Sequence, residues 1–149
     1  MALYEYSYLP AVFHFKVTIA GFSEECNFQE ASGLTVDMET EDVKEGGENR
    51  FTHKLPVRSK YTQLTLKRGI IKKNSPLISW VKKAMDEFDF TPKNITIELL
   101  NEKHSPVLSW ALVNAYPVKW SMANLDANKN EFLIETLVLN YNHFTFNYV

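Results

Sequence analysis

Most of the chain is built from short stretches in which apolar and polar residues alternate, a pattern typical of half-buried β-strands. The segments with this pattern are residues 12–20, 34–39, 51–55, 64–68, 95–99, 107–114, 118–122 and 131–141. Residues 50–68 could form one long hairpin arm, and the whole pattern indicates about seven strands. In the last segment both faces carry apolar residues, which indicates a strand buried on both sides.

One segment changes to a helical period. Ser75 is suited to cap a helix, and Pro76 follows at the first helical position, where its missing N–H does no harm. We predict an amphipathic helix over residues 76–88 that buries its apolar side against the strands, with Trp80 partly covered. The residues on that side are Leu77, Val81, Ala84, Met85 and Phe88.

These elements predict a single domain over residues 1–149, mainly β. The expected architecture is an antiparallel β-barrel or sandwich of about seven strands with one flanking helix. The 149 residues suit one domain, and 45% are apolar, as in ordinary globular proteins. No uninterrupted apolar run is longer than that of residues 110–113, which is far short of the ~20 residues that a membrane-spanning helix needs.

Charge is distributed unevenly around a Gly-containing segment. Residues 42–50 contain Gly46 and Gly47 amid charged residues and predict a mobile loop. Residues 37–48 hold six acids and one lysine, whereas residues 50–73 hold eight basic residues and no acid. Two interpretations stay open: two solvated faces, or complementary surfaces that meet between copies of the protein and fix their register.

Both ends of the chain carry aromatic residues at strand spacing. Tyr4, Tyr6 and Tyr8 lie near the start, and Phe144, Phe146 and Tyr148 lie near the end. Exposed aromatic stripes would be a liability on a monomer. They either fold onto their own domain or pack against another subunit. We expect the second, so residues 1–10 and 142–149 become candidate contact segments.

No constellation of reactive residues stands out. Cys26 is the only cysteine, and the four histidines are dispersed without the spacing of a zinc site. No phosphate-binding glycine motif is present. We therefore predict no catalytic, cofactor-binding or metal-binding residues. The net charge of −2 and the acidic stretch argue against nucleic-acid binding, although Phe51 and Tyr61 interleave the basic block.

Seven strings taken together carry a family resemblance. They are FHFKVTIAG at 13–21, FQEASGLTVDMETE at 28–41, EGGENR at 45–50, HKLP at 53–56, LTLKRGI at 64–70, NAYPVKW at 114–120 and ETLVLNY at 135–141. In this order and spacing they resemble the tail tube proteins of contractile phages and of phage-derived extracellular contractile injection systems. The resemblance spans roughly residues 11–141.

The resemblance implies a β-barrel with one flanking helix, like the hemolysin-coregulated protein of type VI secretion. It implies six copies closing a ring, rings stacking into a hollow tube, and no catalysis or cofactor. The implied partners are further copies of the chain, a sheath, a baseplate or spike, a tube terminator and protein cargo in the lumen, without membrane insertion or specific nucleic-acid binding. It also implies synthesis in the bacterial cytoplasm and incorporation into a phage tail-like particle that can be released from the cell.

Family members extend the loop that matches residues 42–50 toward neighbouring subunits. With the aromatic termini, this defines our candidate interface residues: Tyr4, Tyr6, Glu41, Asp42, Glu45, Gly46, Gly47, Glu48, Asn49, Arg50, Phe144 and Phe146. We also expect the loop acids to meet Arg50, Arg58, Lys60, Lys72 or Lys73 of a neighbouring copy.

An alternative of a different class is a small-ligand-binding or enzymatic β-barrel. Such a barrel should keep an apolar cavity inside one chain, whereas a tube subunit should turn a polar strand face toward a shared lumen. Within the family, a tube initiator and a type VI-like tube protein also remain open.

Overall fold

The computed structural model describes residues 14–22, 28–44, 46–47, 52–69, 75–123, 125–128 and 133–149. This part of the chain forms nine strands and one helix. In chain order they are β1 (His14–Ile19), β2 (Glu30–Ser32), β3 (Val36–Val43), β4 (His53–Tyr61), β5 (Leu64–Arg68), α1 (Pro76–Asp86), β6 (Lys93–Leu100), β7 (Pro106–Met122), β8 (Glu135–Asn140) and β9 (His143–Tyr148).

The long strand β7 joins two halves of one antiparallel sheet. Over its first part it lies between β6 and β9, with β1 beyond β6. Over its second part it pairs with β8, which pairs with β5, which in turn pairs with β2. We call these the front half (β1, β6, β7, β9) and the rear half (β7, β8, β5, β2). The prediction of a mainly β, antiparallel fold with one helix is confirmed, although the described strands do not close into a barrel.

The prediction of two strands, 107–114 and 118–122, separated at Pro117, is wrong because β7 continues through this region. Pairing with β6 ends at Ala115, so the missing N–H of Pro117 removes no bond to β6. Asn114 takes a left-handed backbone with φ 54°, and the register with β8 shifts between Pro117 and Lys119. The strand therefore bends between the two halves without ending.

One hydrophobic core is shared by both halves and the helix. Val17, Ile97 and Leu112 come from the front half, and Leu66 and Leu139 come from the rear half. In the front half, polar residues on the opposite side alternate with these apolar positions, as the period-two pattern predicts.

Helix α1 begins where the sequence predicts. Ser75 is the N-cap residue, and its Oγ accepts a hydrogen bond from the Ile78 N–H at 3.4 Å. Leu77, Val81 and Ala84 are buried, as predicted. Trp80 is buried rather than partly covered, and its indole N–H donates to the Thr91 carbonyl at 2.7 Å.

The predicted end of the helix at residue 88 is wrong. The helix ends at Asp86 rather than residue 88, because the N–H groups of Glu87 and Asp89 both donate to the Lys83 carbonyl and turn the chain away. Phe88 has φ 56° and is 83% exposed, so its predicted burial is wrong. Met85 is also exposed.

The last predicted strand is shorter than residues 131–141. It runs as β8 from Glu135, and Leu133 and Ile134 lie before it with exposed side chains. Residues 129–132 lie outside the described part. Within the described residues, no helix has the length and apolar character needed to span a membrane.

Candidate assembly surfaces

Strands β3 and β4 form a separate two-stranded antiparallel sheet, which we call the arm. Every residue of β3 is exposed, and every residue of β4 is exposed except Tyr61. Eight residues at about 3.3 Å each extend this ribbon roughly 26 Å. Backbone pairing within the arm is therefore not matched by burial of its side chains in the subunit.

The predicted loop 42–50 begins later in the chain than expected, because its first residues belong to a strand. Asp42 and Val43 belong to β3, where they oppose Lys54 and His53, and Gly46 and Gly47 form a turn at the tip of the arm. Gly47 has φ 93°, a conformation that favours glycine. Of the other candidate interface residues here, Glu41 lies in β3 opposite Leu55, whereas Glu45, Glu48, Asn49 and Arg50 lie outside the described residues.

The acidic stretch and the basic block pair with each other within the same chain. Across the arm, Asp37 opposes Lys60, Glu39 opposes Arg58, and Asp42 opposes Lys54. The Arg58 Nε and Glu39 Oε2 atoms are 3.1 Å apart, in an exposed ion pair. Arg58 thus has an ion-pair partner in its own chain, and its contact with a loop acid of a neighbouring copy stays a prediction. Lys72 and Lys73 lie outside the described residues.

Three aromatic residues anchor the arm to the body. The Tyr61 ring lies edge-on to Phe144, with centroids 5.0 Å apart, and also contacts Tyr141. The Tyr141 hydroxyl donates to the Thr62 carbonyl at 2.6 Å. Burial, and secondarily the neighbouring Tyr61, raises the pKa of Tyr141 to about 12.

The aromatic C-terminal segment divides between the core and the surface. Phe144 is buried in the core of its own subunit, which is a correction because it was a candidate interface residue. Phe146 and Tyr148 on the same strand are 55% and 80% exposed, so the terminal contact remains a prediction for them. Tyr4 and Tyr6 lie outside the described residues.

The front half turns a broad polar face away from the core. One row across the strands is Lys16, Glu98, Ser109 and Asn147, and the next is Thr18, Thr96, Ala111 and Thr145. Lys16 lies directly opposite Glu98, so their charges offset each other. The face is thus rich in small and hydroxyl-bearing side chains and has little net charge along these rows.

A buried polar network in the rear half is absent from the sequence predictions. The Arg68 Nε donates to Glu135 Oε2 at 2.7 Å, and both side chains are at most 5% exposed. The Trp120 indole N–H donates to Glu135 Oε1, and the Arg68 guanidinium lies 5.8 Å from the centre of the Phe28 ring. The sequence signal for the burial of Arg68 is that it continues the alternation of Leu64 and Leu66, which places it on the core side of the strand.

An open apolar groove of about 520 Å³ lies between α1 and the second part of β7. Its lining residues are Ile78, Val81, Lys82, Met85, Asp86 and Trp120. It opens at the surface beside the helix rather than between the two halves of the sheet. Within the described residues, no group of three or more His, Cys, Asp or Glu side chains is placed to hold a metal ion.

Comparison with known proteins relates this fold to injection machines. A chain from the anti-feeding prophage baseplate, a six-fold symmetrised structure, has a TM-score of 0.81 and 34% identity, with 93% of this chain and 95% of that chain covered. A chain from the sheath–tube complex of the PVC extracellular contractile injection system has a TM-score of 0.82 and 25% identity, covering 97% and 95%. Hcp1 from Flavobacterium johnsoniae shares the fold, with a TM-score of 0.52, 14% identity and coverage of 91% and 95%.

Sequence comparison gives two further results. No curated protein matches the chain significantly. The family model described as T4-like virus tail tube protein gp19 matches residues 11–145, nearly the whole chain. The structural likenesses and this match agree with the family resemblance of the seven strings, and the chain belongs to the T4-like gp19 tail tube protein family.

Proposed function

We propose that the chain is a structural subunit of the rigid inner tube of a contractile injection apparatus. Six copies close a ring, and rings stack around a hollow lumen. The exposed arm is the observation that carries this proposal. A two-stranded ribbon is marginally stable alone in water, and the arm's side chains are left uncovered by its own subunit. A neighbouring subunit would supply the missing burial, and the six-fold symmetry of the related baseplate supports six copies.

The polar face of the front half supports a shared lumen. In a tube subunit such a face lines the channel, while the apolar side fills the subunit's own core. The core side chains of the front and rear halves belong to one packed cluster, which favours a tube subunit over a ligand-binding barrel. The groove beside α1 has few polar groups to orient a ligand.

The edges of the front half support ring closure. Strand β1 lies at one edge of this half, and β9 lies at the other with Phe146 and Tyr148 exposed. Contact between β9 of one copy and β1 of the next joins two different surfaces, so repetition generates a ring when the rotation closes. Pairing of these edges would satisfy the backbone groups that have no partner among the described strands.

The tube acts without catalysis or a cofactor in this proposal. Its partners are further copies of the chain, a sheath, a baseplate or spike and a tube terminator, and its lumen carries protein cargo. The likenesses to chains from baseplate, sheath–tube, cap and terminator structures support these partners. The subunit is made in the bacterial cytoplasm and becomes part of a phage tail-like particle that is released extracellularly.

Analytical ultracentrifugation of the full-length chain over a wide concentration range tests the proposal, together with negative-stain microscopy. We expect ring-sized species and stacked tubes, either for the chain alone or after co-expression with the baseplate and spike. A chain that stays monomeric under every condition, including co-expression, would refute it.

A tube initiator that sits on the spike is a second candidate. The observation that favours it is 34% identity to a chain from a baseplate structure, against 25% to a chain from a sheath–tube complex. Labelling the subunit in intact particles separates the two roles. Label along the whole length identifies a tube-body subunit, whereas label confined to the baseplate end identifies an initiator.

A further inference from the structure

The apolar side of the front half continues beyond the part that the rest of the subunit covers. Along β9, Phe144 is buried, Phe146 is 55% exposed and Tyr148 is 80% exposed. These residues lie two apart, so their side chains share one face of the sheet. The same loss of cover runs along β7, from the buried Leu112 to the partly exposed Leu108. The core-side face of the sheet therefore extends past the core.

The uncovered end of this face forms an apolar ledge across β1, β6, β7 and β9. Its outer row consists of residues that lie directly opposite one another in these strands. With about 4.8 Å between neighbouring strands, this row is roughly 14 Å wide. An inner pair on β7 and β9 lies between the outer row and the core. The ledge residues are Phe15, Leu99, Leu108 and Tyr148 in the outer row, and Trp110 and Phe146 in the inner pair.

The chain reaches the sheet at this ledge. Residues 1–13 lie outside the described part, and His14 directly precedes Phe15 of the outer row. Strand β1 runs from the ledge toward the core, because Val17 is buried. The segment before His14 is therefore tethered at the edge of the ledge, which gives it a high effective concentration there.

The sequence of this segment matches the ledge in chemistry and in size. Tyr4, Tyr6 and Tyr8 alternate with Glu5 and Ser7, so an extended chain here has one aromatic side and one polar side. From residue 4 to residue 8 an extended chain spans about 13 Å, close to the width of the ledge.

The residues between the tyrosines and β1 are sufficient to reverse the chain. Residues 9–13 reach about 17 Å when extended. They include Pro10, which favours a turn. The aromatic side of the segment can therefore return to the ledge of its own subunit.

We propose that residues 4–8 fold back across the ledge of their own subunit and cover it with Tyr4, Tyr6 and Tyr8. Glu5 and Ser7 then face solvent. The contact lies within one chain, so it goes beyond the tube function and does not depend on it. It gives the N-terminal tyrosines a place on their own subunit, the alternative to the contact between subunits that we expect from the sequence. The backbone edge of β9 stays available to another copy.

Substitution of the tyrosines gives the first test. Tyr4→Ser, Tyr6→Ser and Tyr8→Ser combined should lower the Tm of the dilute subunit by at least about 4 °C, because the aromatic cover of the ledge is lost. The matched control changes the polar side of the same segment. Glu5→Ala combined with Ser7→Ala should shift the Tm by less than about 1 °C.

Substitution of the ledge gives the second test. Phe146→Ser combined with Tyr148→Ser should also lower the Tm, although both side chains are exposed among the described residues. Added to the triple tyrosine variant, these two changes should cause little further loss, because residues in contact are not additive. Full additivity would overturn the proposal.

Cross-linking identifies the occupant of the ledge. In a Cys26→Ala background, Tyr6→Cys is combined with Leu108→Cys and treated with a short thiol-to-thiol cross-linker in a mixture of isotope-labelled and unlabelled chains. We expect cross-linked peptides whose two halves carry the same isotope, which marks a contact within one chain. Tyr6→Cys with Thr18→Cys, on the polar face, is the matched control and should cross-link poorly.

The outcomes separate this inference from the proposed function. Cross-linked peptides of mixed isotope would place the segment on another copy and overturn the proposal. An unchanged Tm in the triple tyrosine variant, or a Leu108 cross-link no stronger than the Thr18 control, would also overturn it. Neither measurement requires rings, so a wild-type chain that never assembles refutes the tube function alone.

Discussion

Removing Arg68 should destabilise the subunit strongly, because its partner would remain charged and buried. Glu135 is at most 5% exposed and accepts hydrogen bonds from Arg68 and Trp120. Breaking a buried ion pair from one side costs about 3–5 kcal/mol. Glu135 keeps its bond from Trp120 in Arg68→Met, so we expect a loss of about 3 kcal/mol in the free energy of unfolding.

The exposed pair in the arm is a matched control. Arg58 and Glu39 make the same kind of contact at 3.1 Å, but their side chains are 71% and 44% exposed. Arg58→Met should therefore cost less than about 1 kcal/mol. The double variant Arg68→Met with Glu135→Leu should regain most of the loss, because no charge is left buried.

Urea denaturation monitored by circular dichroism measures these differences in the free energy of unfolding. The protein concentration must be too low for the subunits to assemble. The reasoning fails if Arg68→Met costs no more than Arg58→Met. It also fails if the double variant is as unstable as Arg68→Met, since the loss would then come from packing rather than from an uncompensated charge.

Three other changes test the described structure. Leu77→Ala should lower the free energy of unfolding by about 2–5 kcal/mol and Met85→Ala by less than about 1 kcal/mol, because Leu77 is buried and Met85 is exposed. Equal losses for the two variants in chemical denaturation would contradict the assigned buried face of the helix. Gly33→Ala should cost more than about 2 kcal/mol in the free energy of unfolding, because φ is 92° and a Cβ would lie 1.9 Å from the Gln63 carbonyl oxygen. Gly46 has open space around it, so Gly46→Ala should be near neutral. Similar Tm values for the two variants would refute this reasoning. The pKa of Tyr141 is raised to about 12 in the folded subunit, so the free energy of unfolding should fall as pH rises from about 10 to 12. Tyr141→Phe should lose that part of the pH dependence, which urea denaturation at a series of pH values measures.

The structure also separates neighbouring residues that the pattern treats alike. Phe144 and Phe146 share strand spacing, yet the first is in the core and the second is exposed at the end of the sheet. Arg58 and Arg68 belong to the same basic block, yet one is solvated and the other is buried against Glu135. Residue type cannot make either distinction. The period places Arg68 on the core side of its strand, but it cannot separate Phe144 from Phe146, because that difference depends on where the strand leaves the covered part of the sheet.

The sequence by itself determined the antiparallel β class, the start of α1 at Ser75 and the family, because alternation, capping and a collinear set of strings are properties of local sequence. Only the tertiary structure decided that Asp37, Glu39 and Asp42 oppose basic residues of their own chain, that β7 runs unbroken through Pro117, and that Phe88 turns outward. Periodicity reports which residues share a face of an element. Which strands become neighbours, and which end of a face reaches solvent, depends on contacts between residues far apart in the chain.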